Sequence, residues 1–161
     1  MINLDLIKRS FRKILSLSKY DKRLIFEALI LVGLYRMMIL VVPFNKYSKY
    51  IGEYNRETPL EINDNDYNSI KRIAWSVNIV SKYVPWESKC FVQALTAQRL
   101  LKRRKIDNTL YLGLNTHSNK MEAHAWLRCG QILVTGGNNK NGFTQVAKFG
   151  SISKLQTLGK H

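Results

Sequence analysis

Apolar positions along the chain change period about two thirds of the way along, from helical before residue 105 to alternating after it. Residues 1–23 carry Leu4, Ile7, Phe11, Ile14 and Leu15 at helical spacing among Lys8, Arg9, Arg12 and Lys13, which predicts a basic amphipathic helix. Residues 24–44, "LIFEALILVGLYRMMILVVPF", are apolar almost all round, because Glu27 and Arg36 fall nearly opposite each other on a helical wheel. That stretch is long enough to cross a bilayer, but Arg36 costs about 3 kcal/mol and Glu27 somewhat less against about −6 kcal/mol from its large apolar residues, so insertion is close to balanced. Burial against the protein, interfacial contact with a membrane and a true span all stay open. It is not a signal peptide: too much charged sequence precedes it and no small-residue cleavage site follows.

Pro43 ends that helix. Residues 45–68, with Gly52, Pro59 and the acidic "EINDND" run, are polar and are expected to form a linker. Ile70, Ile73, Ala74, Val77 and Val80 then mark a helix over residues 69–82, closed by Pro85, and a second, basic helix is expected over residues 87–105. Beyond it, Leu110, Leu112 and Leu114 alternate in a strand at 109–114. Strands at 122–128 and 131–136 form a predicted hairpin around Cys129 and Gly130, and a last strand runs over 143–149. Helices followed by an antiparallel sheet define an α+β protein. The expected division is residues 1–44 as N-terminal helices, 45–68 as linker and 69–161 as the functional domain.

Composition bounds the chemistry. At 161 residues the chain supports one core, and 26 basic against 11 acidic residues leave a formal charge of +15, which suits an acidic partner. The basic residues are spread along the chain rather than gathered into one stripe, so no nucleic-acid partner is expected. Two cysteines without CxxC spacing point to a reducing, cytoplasmic compartment; neither a metal site nor a cofactor is expected.

One cysteine stands where a nucleophile would. With Ser88 as N-cap, Cys90 falls in the first turn of a helix, where unpaired N–H groups and the positive end of the macrodipole favour a thiolate. Cys90 shares a helical face with Ala94, Ala97 and Leu101, and the two alanines admit close approach of a sheet. Of the three histidines, His161 is terminal, His117 sits in the polar loop "NTHSNK", and His124 lies mid-strand on the face of Glu122 and Trp126. Spacing alone favours a small buried cysteine and a satisfied core histidine over a catalytic pair.

The strings "WESKCFVQALTAQRLLKRRKIDNTLYLGL" and "AHAWLRCGQILVTGG" resemble the transglutaminase-like cysteine protease of lasso-peptide biosynthesis, the leader peptidase or B protein, in its stand-alone form. "DKRLIFEALILVGLYRMMILVVPF" is similar to the apolar helix that opens those proteins, and the resemblance extends from about residue 17 to 149. It implies a papain-like, transglutaminase-like fold with the sheet packed on the cysteine helix, Cys90 as nucleophile and His124 as general base, then acid. It also implies removal of a leader from a ribosomally made precursor peptide, alongside a leader-binding protein and a lasso cyclase. An acidic residue would be expected shortly after His124, yet no Asp or Glu follows Glu122. With a two-residue turn at Cys129 and Gly130, Thr135 would face His124; Asn138, Asn139 and Glu122 are the other candidates to orient the imidazole. Two further expectations stay beside the protease: a non-catalytic scaffold in the same complex, and a membrane-surface adaptor working through residues 1–44.

Overall fold

A computed structural model describes residues 16–115, 121–137 and 142–153. The amphipathic segment 1–15, the loop with His117, Asn138, Asn139 and the tail with His161 lie outside the described residues. Among the described residues the order is α1 (Lys19–Val41), α2 (Phe44–Ile51), β1 (Glu53–Tyr54), α3 (Asp64–Tyr83), α4 (Cys90–Arg103), β2 (Asn108–Asn115), β3 (Glu122–Cys129), β4 (Ile132–Thr135) and β5 (Thr144–Ser151). The α+β pattern therefore stands, with one short strand entering before α3.

Local chemistry sets the helix ends. The Ser18 hydroxyl accepts from the Asp21 N–H at 3.1 Å and caps α1, and Asn63 does the same for Asn65 at the start of α3. Both long helices stop two residues before a proline, Pro43 and Pro85, as the steric restriction on the preceding residue requires. Arg72 on α3 reaches back to the buried Asp21 carboxylate at 2.9 Å and locks α1 against α3.

The five strands form one antiparallel sheet in the order β1-β5-β2-β3-β4. Leu110 pairs with Leu127 and Leu112 with Ala125, so these residues share the face that packs on the helices. Leu24, Ala28 and Val32 of α1, Ile70, Ile73 and Val77 of α3, Ala94, Ala97 and Leu101 of α4, and Leu110 and Leu127 are all fully buried in one core. α4 lies at its centre, touching α1, α3, β2, β3 and β4. The described part of residues 1–44 thus shares its core with the segment after residue 69.

Residues 45–68 are not a plain linker. Their first part is helical in α2, whose Tyr47 and Ile51 are buried, and β1 then pairs with β5. Gly52 makes that pairing close, since a Cβ there would lie 2.6 Å from the Gly150 carbonyl oxygen. Thr58 is strapped onto β2 through its N–H and hydroxyl to Thr109 Oγ1, at 2.9 and 2.8 Å. Arg128 donates to the Thr58 carbonyl and to the Tyr111 hydroxyl, both at 2.9 Å.

The hairpin differs from expectation by one residue. Cys129 pairs with Ile132, so Gly130 and Gln131 form the turn, and Gly130 adopts φ +55°. A bulge between Leu127 and Arg128 then sets Thr135 against Leu127 rather than against His124.

Truncating Leu24 opens a cavity at the α1 contact, whereas Leu34 is 60% exposed. Leu24→Ala is expected to cost about 2–5 kcal/mol in urea unfolding and Leu34→Ala less than about 1 kcal/mol. Equal costs would mean that α1 is not part of the cooperative core.

Candidate active site

The structure brings Cys90 and His124 to one cleft of about 840 Å³, 34 residues apart in sequence. Its walls include Trp75 and Asn78 from α3, Ser88, Lys89 and Gln93 around the start of α4, and Leu133, Thr135, Gly136 and Gly137 from β4 and the turn after it.

Cys90 is the first residue of α4 and is half-buried. The N-cap is Lys89, not Ser88, and no side chain caps this end. Ser88 instead donates to the Ser81 hydroxyl at 2.9 Å, pinning the entry loop to α3. Gln93, one turn on, folds back and donates from Nε2 to the Ser88 carbonyl at 2.7 Å, so it braces the loop in front of the thiol rather than pointing to solvent. No sequence pattern marks this role, because a glutamine in a first turn reads the same whether it bonds water or its own loop. Lys89 adds a positive charge beside the thiol, in a side chain already paired with Glu87 at 3.4 Å.

His124 sits on β3 beyond the last residue that β4 pairs, since β4 ends where Thr135 meets Leu127. That leaves the edge of β3 open beside it, and the ring turns to the chain leaving β4. Its Nε2 lies 2.9 Å from the Gly136 carbonyl oxygen. A carbonyl only accepts, so Nε2 carries the proton and Nδ1 keeps the lone pair that can take one. The ring is held between Trp126 and Phe143, at centroid separations of 6.0 and 4.9 Å. Trp126 in turn stacks on Tyr111 at 5.5 Å.

Among the described residues the group that orients the imidazole is a backbone carbonyl, and Thr135 and Glu122 do not take that place, whereas Asn138 and Asn139 lie outside the described residues. Thr135 is buried and lines the cleft, but its hydroxyl has no hydrogen-bond partner among the described residues. Glu122 is exposed at the first position of β3, where it pairs with Asn115, two residues before His124. Gly136 is required where it stands: it has φ +72°, and a Cβ would lie 2.3 Å from the Ala125 carbonyl oxygen. This left-handed residue sets the direction of the chain that presents the carbonyl to His124.

Cys129 is a different kind of thiol. It is the last residue of β3 and is buried, and its Sγ–H donates to the Asp107 carbonyl at 2.9 Å. Burial, with the Asp66 and Asp107 carboxylates nearby, pushes it up to about 12, so it stays protonated throughout the physiological range. Among the described residues no cluster of three or more metal-ligating side chains occurs.

An uncapped helix start, a half-buried thiol and a tautomerically fixed imidazole lining one cleft form an arrangement suited to thiol nucleophilic chemistry. No curated protein and no solved structure matches the chain significantly. The family model of the transglutaminase-like superfamily matches residues 38–148, spanning the cysteine helix, the histidine strand and most of β5. The chain belongs to the transglutaminase-like superfamily.

Proposed function

We propose that the protein is a cysteine endopeptidase that removes the leader from a ribosomally made lasso-peptide precursor, acting with a leader-binding protein and a cyclase. The observation that carries this reading is the shared cleft of Cys90 and His124, with Nε2 committed to Gly136 and Nδ1 left as the acceptor. Superfamily membership is compatible with cysteine-protease chemistry, and the motif strings around both residues supply the peptide-maturation context.

In this mechanism the Cys90 proton passes to His124 Nδ1, and the thiolate attacks the scissile carbonyl carbon. Charge develops on the carbonyl oxygen next to the start of α4, where first-turn N–H groups have no intrahelical partner and no side chain competes for them. The imidazolium then protonates the leaving amine, which departs as the C–N bond breaks and leaves a thioester on Cys90. Water, deprotonated by the same imidazole, attacks that thioester; the acid product leaves and the thiol is restored. The unpartnered Thr135 hydroxyl lies in the cleft wall where it can bond a substrate peptide group.

A neutral carbonyl orients an imidazole but stabilises its charged form less than a carboxylate does. Cysteine tolerates this better than serine, because its lower intrinsic pKa demands less of the base. A non-catalytic scaffold would not need a glycine-enforced carbonyl aimed at His124, which favours the enzyme. The charge of +15 suits an acidic leader or an acidic delivery protein.

Purified protein mixed with precursor and leader-binding protein is expected to release the leader, read by mass spectrometry. Cys90→Ala and His124→Ala should each lower the rate by about a thousandfold or more. Full cleavage by Cys90→Ala would remove the nucleophile from this account, and no cleavage by the wild type would favour the scaffold. Iodoacetamide at pH 7.5 gives an independent check on the thiols. Cys90 should alkylate at least about tenfold faster than Cys129 in the folded protein, with the two rates converging in urea; equal rates when folded would contradict the site geometry.

A further inference from the structure

α1 has two apolar faces, and the protein covers one of them. Leu24, Ala28, Leu31 and Val32 are buried in the core, while Phe26, Leu34, Met37, Leu40 and Val41 each expose 60–69% of their surface, and Leu29 and Ile30 more than 40%. At 100° per residue these exposed side chains fall within a single arc of about 140°, along a helix of roughly 35 Å. Trp86 extends the same face, lying against Gly33 at 3.7 Å from where a Cβ would stand. Only 22% of the most apolar window of α1 is buried, at a mean hydropathy of 2.2. A continuous apolar stripe of this kind on a basic protein is a contact surface.

Glu27 and Arg36, the charges within the apolar length of α1, lie on the flanks of the stripe and are already engaged. Glu27 pairs with Arg23 at 3.0 Å and with Arg103 and Arg104 at 3.6 Å, and Arg36 pairs with Glu87 at 3.3 Å. The stripe runs at its N-terminal end into the exposed Lys19, Lys22 and Arg23 on the same arc, and Lys8, Arg9, Arg12 and Lys13 precede them in the chain. Apolar residues bordered by a basic group are the surface chemistry that an anionic bilayer matches.

We propose that the outer face of α1 lies in the interface of an anionic lipid bilayer, parallel to its surface, with Phe26, Ile30, Leu34, Met37 and Val41 in the acyl boundary and the basic end among the headgroups. A transmembrane placement would pull Leu24, Ala28 and Val32 out of the core and break both sets of ion pairs. A second copy on this face would bring together the basic ends of two chains of charge +15, a repulsion that anionic lipid reverses. The placement does not depend on the catalytic reading.

The test is flotation of the full chain with vesicles of phosphatidylcholine alone or with 30% phosphatidylglycerol, at low and high salt. Flotation is expected with the anionic vesicles, at least tenfold weaker with phosphatidylcholine alone, and weakened by salt. Leu34→Glu with Met37→Glu, both at exposed positions, should lower flotation tenfold or more and leave the far-ultraviolet circular dichroism and the Cys90 alkylation rate unchanged. Absence of flotation, or flotation indifferent to the double substitution, would overturn the proposal. So would a dimer that the double substitution dissociates, or a gain in flotation when residues 1–15 are removed, which would mean that they cover the face.

Discussion

α4 governs this molecule, because the helix that presents the thiol is also the one that every layer packs on. From Val92 to Leu101 all of its residues except Gln93 and Arg99 are buried, and the fully buried Ala94 and Ala97 permit backbone approach that larger side chains would prevent. Because α1, α3 and three strands meet α4, its first turn is held by the whole core rather than by its own capping. The lack of a side-chain cap at Lys89 is therefore affordable in stability and leaves the N–H groups beside Cys90 available for chemistry.

The sheet supplies the second half of the site through a deficit. β4 is only four residues long, and its pairing with β3 ends at Leu127, which opens the edge beside His124. Into that gap comes the Gly136 carbonyl, aimed by a left-handed backbone that no residue with a side chain could adopt there without striking Ala125. The aromatic ladder of Tyr111, Trp126, His124 and Phe143 then holds the imidazole on its other sides. Orientation by backbone is rigid but weakly polarising, and it accounts for how a chain with no acidic residue after Glu122 can still fix the tautomer of its histidine.

A polar strap shares Tyr111 with that ladder and holds the next stretch of chain. Arg128, Tyr111, Glu57, Thr58 and Thr109 form a connected hydrogen-bonded group that anchors residues 57–58 on the sheet. Such a group stabilises only when its members are satisfied, and here the bonds run through side chains and main-chain atoms alike. It is the reason the stretch after β1 runs along the sheet instead of hanging between two halves.

The helical and alternating periods placed the main helices and strands within a few residues, because burial imposes a 3.6-residue or 2-residue repeat wherever one face meets a core. The same reasoning singled out Cys90 at a helix start and His124 within a strand, since residue type and position are both written in the chain. It could not reach the orienting group at His124, because that group is a main-chain carbonyl, which every residue carries and no letter marks. Nor could it resolve the bulge at Leu127 or the choice of Lys89 over Ser88 as cap, which turn on fractions of a turn settled by packing. The fate of α1 is the clearest division: composition made it apolar on all sides, and only the folded core decided which side is covered, because hydropathy measures a side chain's cost in water and not which neighbour removes it.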